Sequence, residues 1–281
     1  MDCGFALQYS PLMMYQEGKG MILFCQMDVT GRTEDDPAAE ALVRNILQYA
    51  SAWKPAPARK ALYAGEPAGK SHLEAAGFAL DAYEQGRPAA DAVLVVGPGA
   101  AMNLAPHAAA IGDWLAAGGH LLAIGLDEAE ANAFLPFRVR MNAAEHIAAY
   151  FEPCGWQTLL AGIGPADVHN RDPRVLPLVA GGATVIGDGV LARAAGANDV
   201  FFQLVPWQFD YSKQYNVKRT YRRASFLVAR LLADMGVAGS TPVLARFASP
   251  VDAAKPEKRW LDGLYLDQPE EMDDPYRFFR W

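Results

Sequence analysis

Residues Ala92–Ile124 read AVLVVGPGAAMNLAPHAAAIGDWLAAGGHLLAI. The run Ala92–Val96 is apolar at every position, without the alternation of a strand that has one wet face. It reads as a strand covered on both sides, the signature of a parallel sheet interior. Gly97-Pro98-Gly99 ends it. Ala108, Ile111, Trp114 and Leu115 then recur at helical spacing, Gly118-Gly119 stops the helix, and His120–Ile124 is a second unbroken apolar strand. Strand, helix and strand in one stretch make a βα repeat.

The pattern extends in both directions. Ala61–Ala64 is a short strand. Ser71 caps a helix around His72–Ala76, Gly77 ends it, and Phe78–Tyr83 is another strand. Residues 127–180 are irregular and proline-rich, with Asn142–Phe151 read as a packed helix. Thr184–Ala194 and Asn198–Val205 suggest a hairpin. Lys218–Met235 is a long helix with Phe226, Leu227, Leu231 and Leu232 on its apolar side. The expected fold is a three-layer α/β sandwich with a mostly parallel sheet.

Before this unit lies Gly18–Tyr49, GKGMILFCQMDVTGRTEDDPAAEALVRNILQY. Leu7–Tyr15 and Met21–Val29 read as a hairpin around a glycine-rich turn. Asp35-Asp36-Pro37 opens a helix, with proline in the first turn and acids at the positive dipole end. Leu42, Val43, Ile46, Leu47 and Tyr49 form its apolar stripe, and Lys54-Pro55-Ala56-Pro57 is a linker. A strand as apolar as Met21–Met27 belongs inside a sheet, yet few residues precede it. The chain is therefore expected to begin near the end of a domain.

The two ends resemble each other. Leu23-Phe24-Cys25-Gln26-Met27 parallels Val200-Phe201-Phe202-Gln203-Leu204, and Leu42–Leu47 parallels Leu227–Leu232. This reads as duplication of one domain type with the first copy cut short. Residues 240–281 form an extended tail dense in aromatics, around Trp260–Leu266 and Pro275–Trp281, which is too apolar to hang in water.

The chain has 281 residues, 52% of them hydrophobic and 20% charged, with a formal net charge of -7. An acidic balance argues against nucleic-acid binding, which needs a basic face. The basic run Lys218, Arg219, Arg222, Arg223 lies on the long helix and reads as a solvated or ion-paired face. Cys3, Cys25 and Cys154 are too far apart for a zinc motif. His72, His107, His120 and His146 are scattered without ligand spacing, so no metal and no cofactor are expected. No signal peptide or membrane span is visible, which points to a cytoplasmic protein with no membrane partner.

The pattern GKG-x-ILFCQ-x-DVTGRTE-x-DPAAE, followed by an α/β unit, resembles the glutamine-amidotransferase-like domain that follows the catalytic barrel in many β-galactosidases, often called the trimerisation domain. It is also similar to C-terminal regions of large bacterial glycoside hydrolases. Gly164–Pro173 and Lys218–Arg223 look like recurring parts of the same proteins. The resemblance implies a flavodoxin-like unit over residues 58–239, a remnant of a first amidotransferase-like domain over 1–57, and the tail over 240–281. A working glutaminase needs a nucleophile on the turn after a strand. The turn after His120–Ile124 is Gly125-Leu126-Asp127-Glu128, without cysteine or serine, so amidotransfer is not expected.

Four carboxylates are candidates for a glycosidase acid–base pair: Asp167, Asp172, Asp188 and Asp210. His169, Asn170 and Arg171 could hold sugar hydroxyls in the densest polar loop, or simply pin that loop. Gln203, Trp207, Lys213 and Tyr215 could stack and bond a sugar ring, or pack at an interface. Asp127 and Glu128 stand where a parallel sheet presents ligands, but read better as acids at a helix start. Gly97-Pro98-Gly99 could approach a phosphate, yet lacks GxGxxG spacing. The expected role is an accessory or oligomerisation module of glycoside hydrolysis, partnered by carbohydrate or by a catalytic domain and forming homo-oligomers. The alternative is a stand-alone glycosidase.

Overall fold

The computed structural model describes residues 11–17, 20–55, 58–155, 158–194, 198–210 and 217–239. The aromatic tail, Lys213, Tyr215 and Cys3 lie outside the described residues. The chain divides into two compact units, with boundaries after Ala56 and after Gly239.

In the first unit, β1 (Leu12–Glu17) and β2 (Gly20–Cys25) form an antiparallel hairpin, and α1 (Pro37–Ala52) follows. The Asp36 side chain caps α1 by accepting the Ala38 N–H at 2.9 Å, with Pro37 in the first turn. Leu47 and Tyr49, expected on an apolar stripe, are largely exposed.

The second unit is built on a seven-stranded sheet. In chain order it contains β3 (Lys60–Ala64), α2 (Pro67–Ala75), β4 (Leu80–Ala82) and β5 (Ala92–Val96). Next come α3 (Ala101–Leu104), α4 (Ala108–Ala116), β6 (His120–Ile124), α5 (Glu128–Phe134) and β7 (Arg140–His146). The unit closes with β8 (Arg174–Gly181), β9 (Thr184–Ile186), β10 (Leu191–Arg193), β11 (Asn198–Phe202) and α6 (Lys218–Asp234). The sheet runs β4-β3-β5-β6-β11-β10-β9. The first five strands are mutually parallel, and β10 and β9 add antiparallel at the far edge.

Alternate residues of the central strands enter two separate cores. Tyr63, Val93, Val95, Leu122, Ile124, Val200 and Phe202 pack with Leu73 of α2 and with Leu227, Val228, Leu231 and Leu232 of α6. Leu94, Val96, Leu121, Ala123 and Phe201 pack with Leu104, Ile111, Trp114 and Phe134 of α3–α5. Helices thus cover both faces, as the unalternating strands require.

Several local expectations are corrected. Asn142–Phe151 is not a helix. Arg140–His146 is a strand paired antiparallel with β8 along its whole length, and this pairing overrides the helix propensity of Ala143-Ala144-Glu145. Ser71 does not cap α2. That helix starts four residues earlier at Pro67, whose fixed φ and missing N–H suit a first position. The arm Thr184–Ala194 folds on itself into β9 and β10, so the expected hairpin is the last part of a three-stranded antiparallel meander. Phe226, assigned to the apolar side of α6, is 55% exposed, while Ala224 and Val228 are buried there.

The internal likeness of the two ends extends to register. Leu12 pairs with Cys25 and Met13 with Phe24, just as Leu191 pairs with Phe202 and Ala192 with Phe201. One residue on, the Gln26 N–H donates to the Pro11 carbonyl at 2.7 Å and the Gln203 N–H to the Val190 carbonyl at 2.9 Å. Each hairpin is followed by a helix, α1 or α6.

One residue conflicts with the core. Asp199 of β11 is 1% exposed and neither carboxylate oxygen has a hydrogen-bond partner. Burial pushes its pKa up to about 7. A folded-state value above the unfolded one means the neutral acid is the form the fold tolerates. Its stabilising contribution is complete at acid pH and is lost as pH rises from the ordinary carboxylate range through about 7. Asp234, raised to about 6 mainly by burial, acts with the same sign. Replacing Asp199 with Asn is expected to raise stability at pH 8 by on the order of 2 kcal/mol and to change it little at pH 4.5. Thermal melts at the two pH values check this; an equal effect at both would contradict it.

Candidate functional site

In an open α/β sheet, ligands bind outside the carboxyl ends of the strands, where the chain order reverses. Here the chain leaves β3 for β4 on one side and returns to β5 on the other. The reversal point lies between Ala64-Gly65-Glu66, after β3, and Gly97-Pro98-Gly99, after β5.

This place is filled by the protein itself. The Gly97 N–H donates to the Ala64 carbonyl at 2.8 Å, and the Glu66 N–H to the Pro98 carbonyl at 3.0 Å. The Tyr63 hydroxyl donates to the Glu66 carbonyl at 3.0 Å. Burial first, and the Glu66 carboxylate second, push the phenol pKa far up, so it remains a donor. The Trp207 indole N–H donates to the Glu66 carboxylate. Glycine is required at Gly69 and Gly97 because Tyr63 and Trp207 lie directly against them. A Cβ on Gly69 would stand 2.0 Å from the Tyr63 oxygen and 2.8 Å from the Trp207 ring. A Cβ on Gly97 would stand 2.6 Å from the same oxygen.

The turn Gly97-Pro98-Gly99 already holds an anion. The Gly99 N–H donates to the Glu130 carboxylate at 2.7 Å, and the other oxygen of Glu130 accepts the Asp127 N–H at 3.2 Å. Asp127 in turn accepts the Glu130 N–H at 2.8 Å, closing a reciprocal cap at the start of α5. Glu128 accepts the Met141 N–H at 2.8 Å. The acids after β6 therefore tie the helix start to its surroundings.

His72 borders this point, its ring centroid 5.7 Å from Trp207 and 5.6 Å from Tyr221. Its Nε2 is buried without a hydrogen-bond partner, and burial lowers its pKa, so the ring is held neutral.

The polar loop Gly164–Arg174 is tied together from within. The Gly164 N–H donates to Asp167 at 2.9 Å. Burial raises the Asp167 pKa, with that bond and Arg223 opposing. Fully buried Asn170 donates to the carbonyls of His146, at 3.3 Å, and Asp172, at 2.7 Å, and accepts the Asp172 N–H at 2.9 Å. Asp172 pairs with Arg174, whose guanidinium lies 4.4 Å from the Phe209 ring centre. The Arg171 N–H donates to the Thr220 hydroxyl at 2.8 Å, and Arg223 donates to His169 Nδ1 at 2.9 Å.

Asp188 pairs with His146 Nδ1 and accepts the Val190 N–H at 3.1 Å. The arrangement has the parts of an acid–base dyad, but His146 is 0% exposed and its Nε2–H is spent on the Val168 carbonyl at 2.7 Å. The ring has no nitrogen left to exchange a proton with a substrate. Gln203, 1% exposed, donates to the Leu126 carbonyl at 3.2 Å, while Trp207 stands at the reversal point. Asp210 is exposed beyond Phe209.

Sequence reasoning missed Tyr63, Glu66 and Glu130 at the reversal point. The available signal was the matched glycine after two similar apolar strands, Gly65 after Ala64 and Gly97 after Val96. Among the described residues no group of three or more His, Cys, Asp or Glu could hold a metal, and no helix is long and apolar enough to cross a membrane. No protein-family model matches the chain, and no curated protein matches it.

Gly69→Ala sets two effects against each other. Alanine gains about 1 kcal/mol of helix propensity in α2, while overpacking against Tyr63 and Trp207 costs roughly 1–3 kcal/mol. At a 2.0 Å contact the second effect wins, so the variant is expected to melt lower. Adding Tyr63→Phe removes the closest atom and is expected to recover part of the loss. Denaturant titration of the single and double variants measures this coupling, and additive effects would show that the glycine is not there for the hydroxyl.

Proposed function

We propose that this chain is a non-catalytic module of glycoside degradation. In this reading its sheet is flavodoxin-like, and it serves as an accessory or assembly domain for a glycoside hydrolase catalytic domain. The strand order β4-β3-β5-β6-β11 supports the flavodoxin-like assignment, since the second strand in sequence lies outside the first and the rest follow in order. The observation that carries the module reading is the filled reversal point. Tyr63, Trp207 and Glu66 occupy the place where related architectures admit a ligand, and Glu130 occupies the adjacent amide.

The link to glycosides rests on the resemblance carried by Gly18–Glu40 and the α/β unit behind it. The stand-alone glycosidase reading needs two carboxyl groups facing one cleft, about 5–10 Å apart. Asp167, Asp172 and Asp188 instead direct oxygens at Gly164, Arg174, and His146 with Val190. That favours the module.

The purified chain is expected to leave nitrophenyl galactosides uncleaved and to scatter light as an oligomer. Turnover that falls when Asp167 or Asp172 is changed to Asn would replace the module with an enzyme. A clean monomer at micromolar concentration would remove the assembly role.

A further inference from the structure

The start of α6 is electrostatically inverted. A helix N-terminus carries partial positive charge and favours acids, but the first turn of α6 has none, and Val217 offers no side-chain cap. Lys218, Arg219, Arg222 and Arg223 occupy its opening residues instead. The loop carrying His169 and Arg171 is fastened against this stretch by two bonds: Arg171 N–H to Thr220 at 2.8 Å, and Arg223 to His169 at 2.9 Å.

The fastening brings like charges together. Burial first, then Arg171 and Arg219, disfavour the Arg223 cation, and Asp167 offsets this in part. Burial, then Arg223, Arg171 and His146, lower the His169 pKa, so its ring accepts from Arg223 as a neutral base. Arg223 Nε is buried without a hydrogen-bond partner. The exposed Arg171 guanidinium makes no ion pair among the described residues. Asp167 already accepts the Gly164 N–H and is itself largely desolvated, which leaves the cluster with an excess of positive charge.

We propose that Arg171 and Arg223, held over the N-terminal half of α6, form a binding site for an oxyanion group: a phosphate, a sulfate or a carboxylate. Planar guanidinium forks match the oxygens of such groups. The proposal does not depend on the carbohydrate reading.

The test uses the full chain. Potassium phosphate, sodium sulfate and sodium glucuronate are titrated by calorimetry and by thermal melts, against chloride at equal ionic strength. At least one of the three is expected to bind saturably and raise the melting temperature beyond chloride. Arg171→Ala, at an exposed position, is expected to fold normally and to weaken that binding at least fivefold. Arg223→Lys, which keeps the charge but loses the fork, is expected to weaken it as well. Phosphate or sulfate binding alone identifies a phosphorylated or sulfated ligand; glucuronate binding alone identifies an acidic sugar or other carboxylate. No binding beyond chloride, or equal binding by wild type and Arg171→Ala, would overturn the proposal.

Discussion

The second unit depends on one constraint: its central strands have no solvent side. Val93, Leu94, Val95 and Val96 have 0% exposure, and Leu121, Leu122 and Ile124 match them. A sheet with two dry faces must be covered twice, so α2 and α6 take one side and α3–α5 the other. Backbone can then reach solvent only at the strand ends. The polar chemistry of the unit therefore collects in the turns after β3, β5, β6 and β11, and in the loop that β7 and β8 bring against α6.

At those ends the protein satisfies its own groups. Tyr63 rises from the core to meet the Glu66 backbone carbonyl, and Trp207 comes down on the carboxylate of the same residue. Glu130 takes the amide that an incoming anion would seek. Unmet hydrogen-bonding capacity is found elsewhere, at the buried Nε of Arg223 on α6. The architecture has thus closed its customary ligand edge and gathered charge at the side of the sheet.

The sheet was legible in the sequence because its information is local. Unbroken apolar runs at Ala92–Val96 and His120–Ile124 announce strands wet on neither face, and glycines mark their ends. The β7–β8 ribbon was not legible. Ala143-Ala144-Glu145 favours helix on its own, and only a partner some thirty residues away makes it a strand. The candidate sites show the same division. Asp167, His169, Asn170, Arg171 and Asp172 form a dense polar loop that can be seen in the sequence. That Asn170 is buried beneath His146 and that Asp188 faces His146 depends on long-range pairing, which no spacing reveals. The hairpin likeness of Leu23–Met27 and Val200–Leu204 lies between these cases: the strings suggest it, and the shared register gives it physical content.

The outermost strands, β4 and β9, are three residues each. An edge so brief offers little unsatisfied backbone to a neighbouring chain, and the seven-stranded sheet is protected against lateral growth into fibrils. Lateral pairing at this sheet is thereby disfavoured, and its outer edges are left to side chains, whose chemistry evolution can tune.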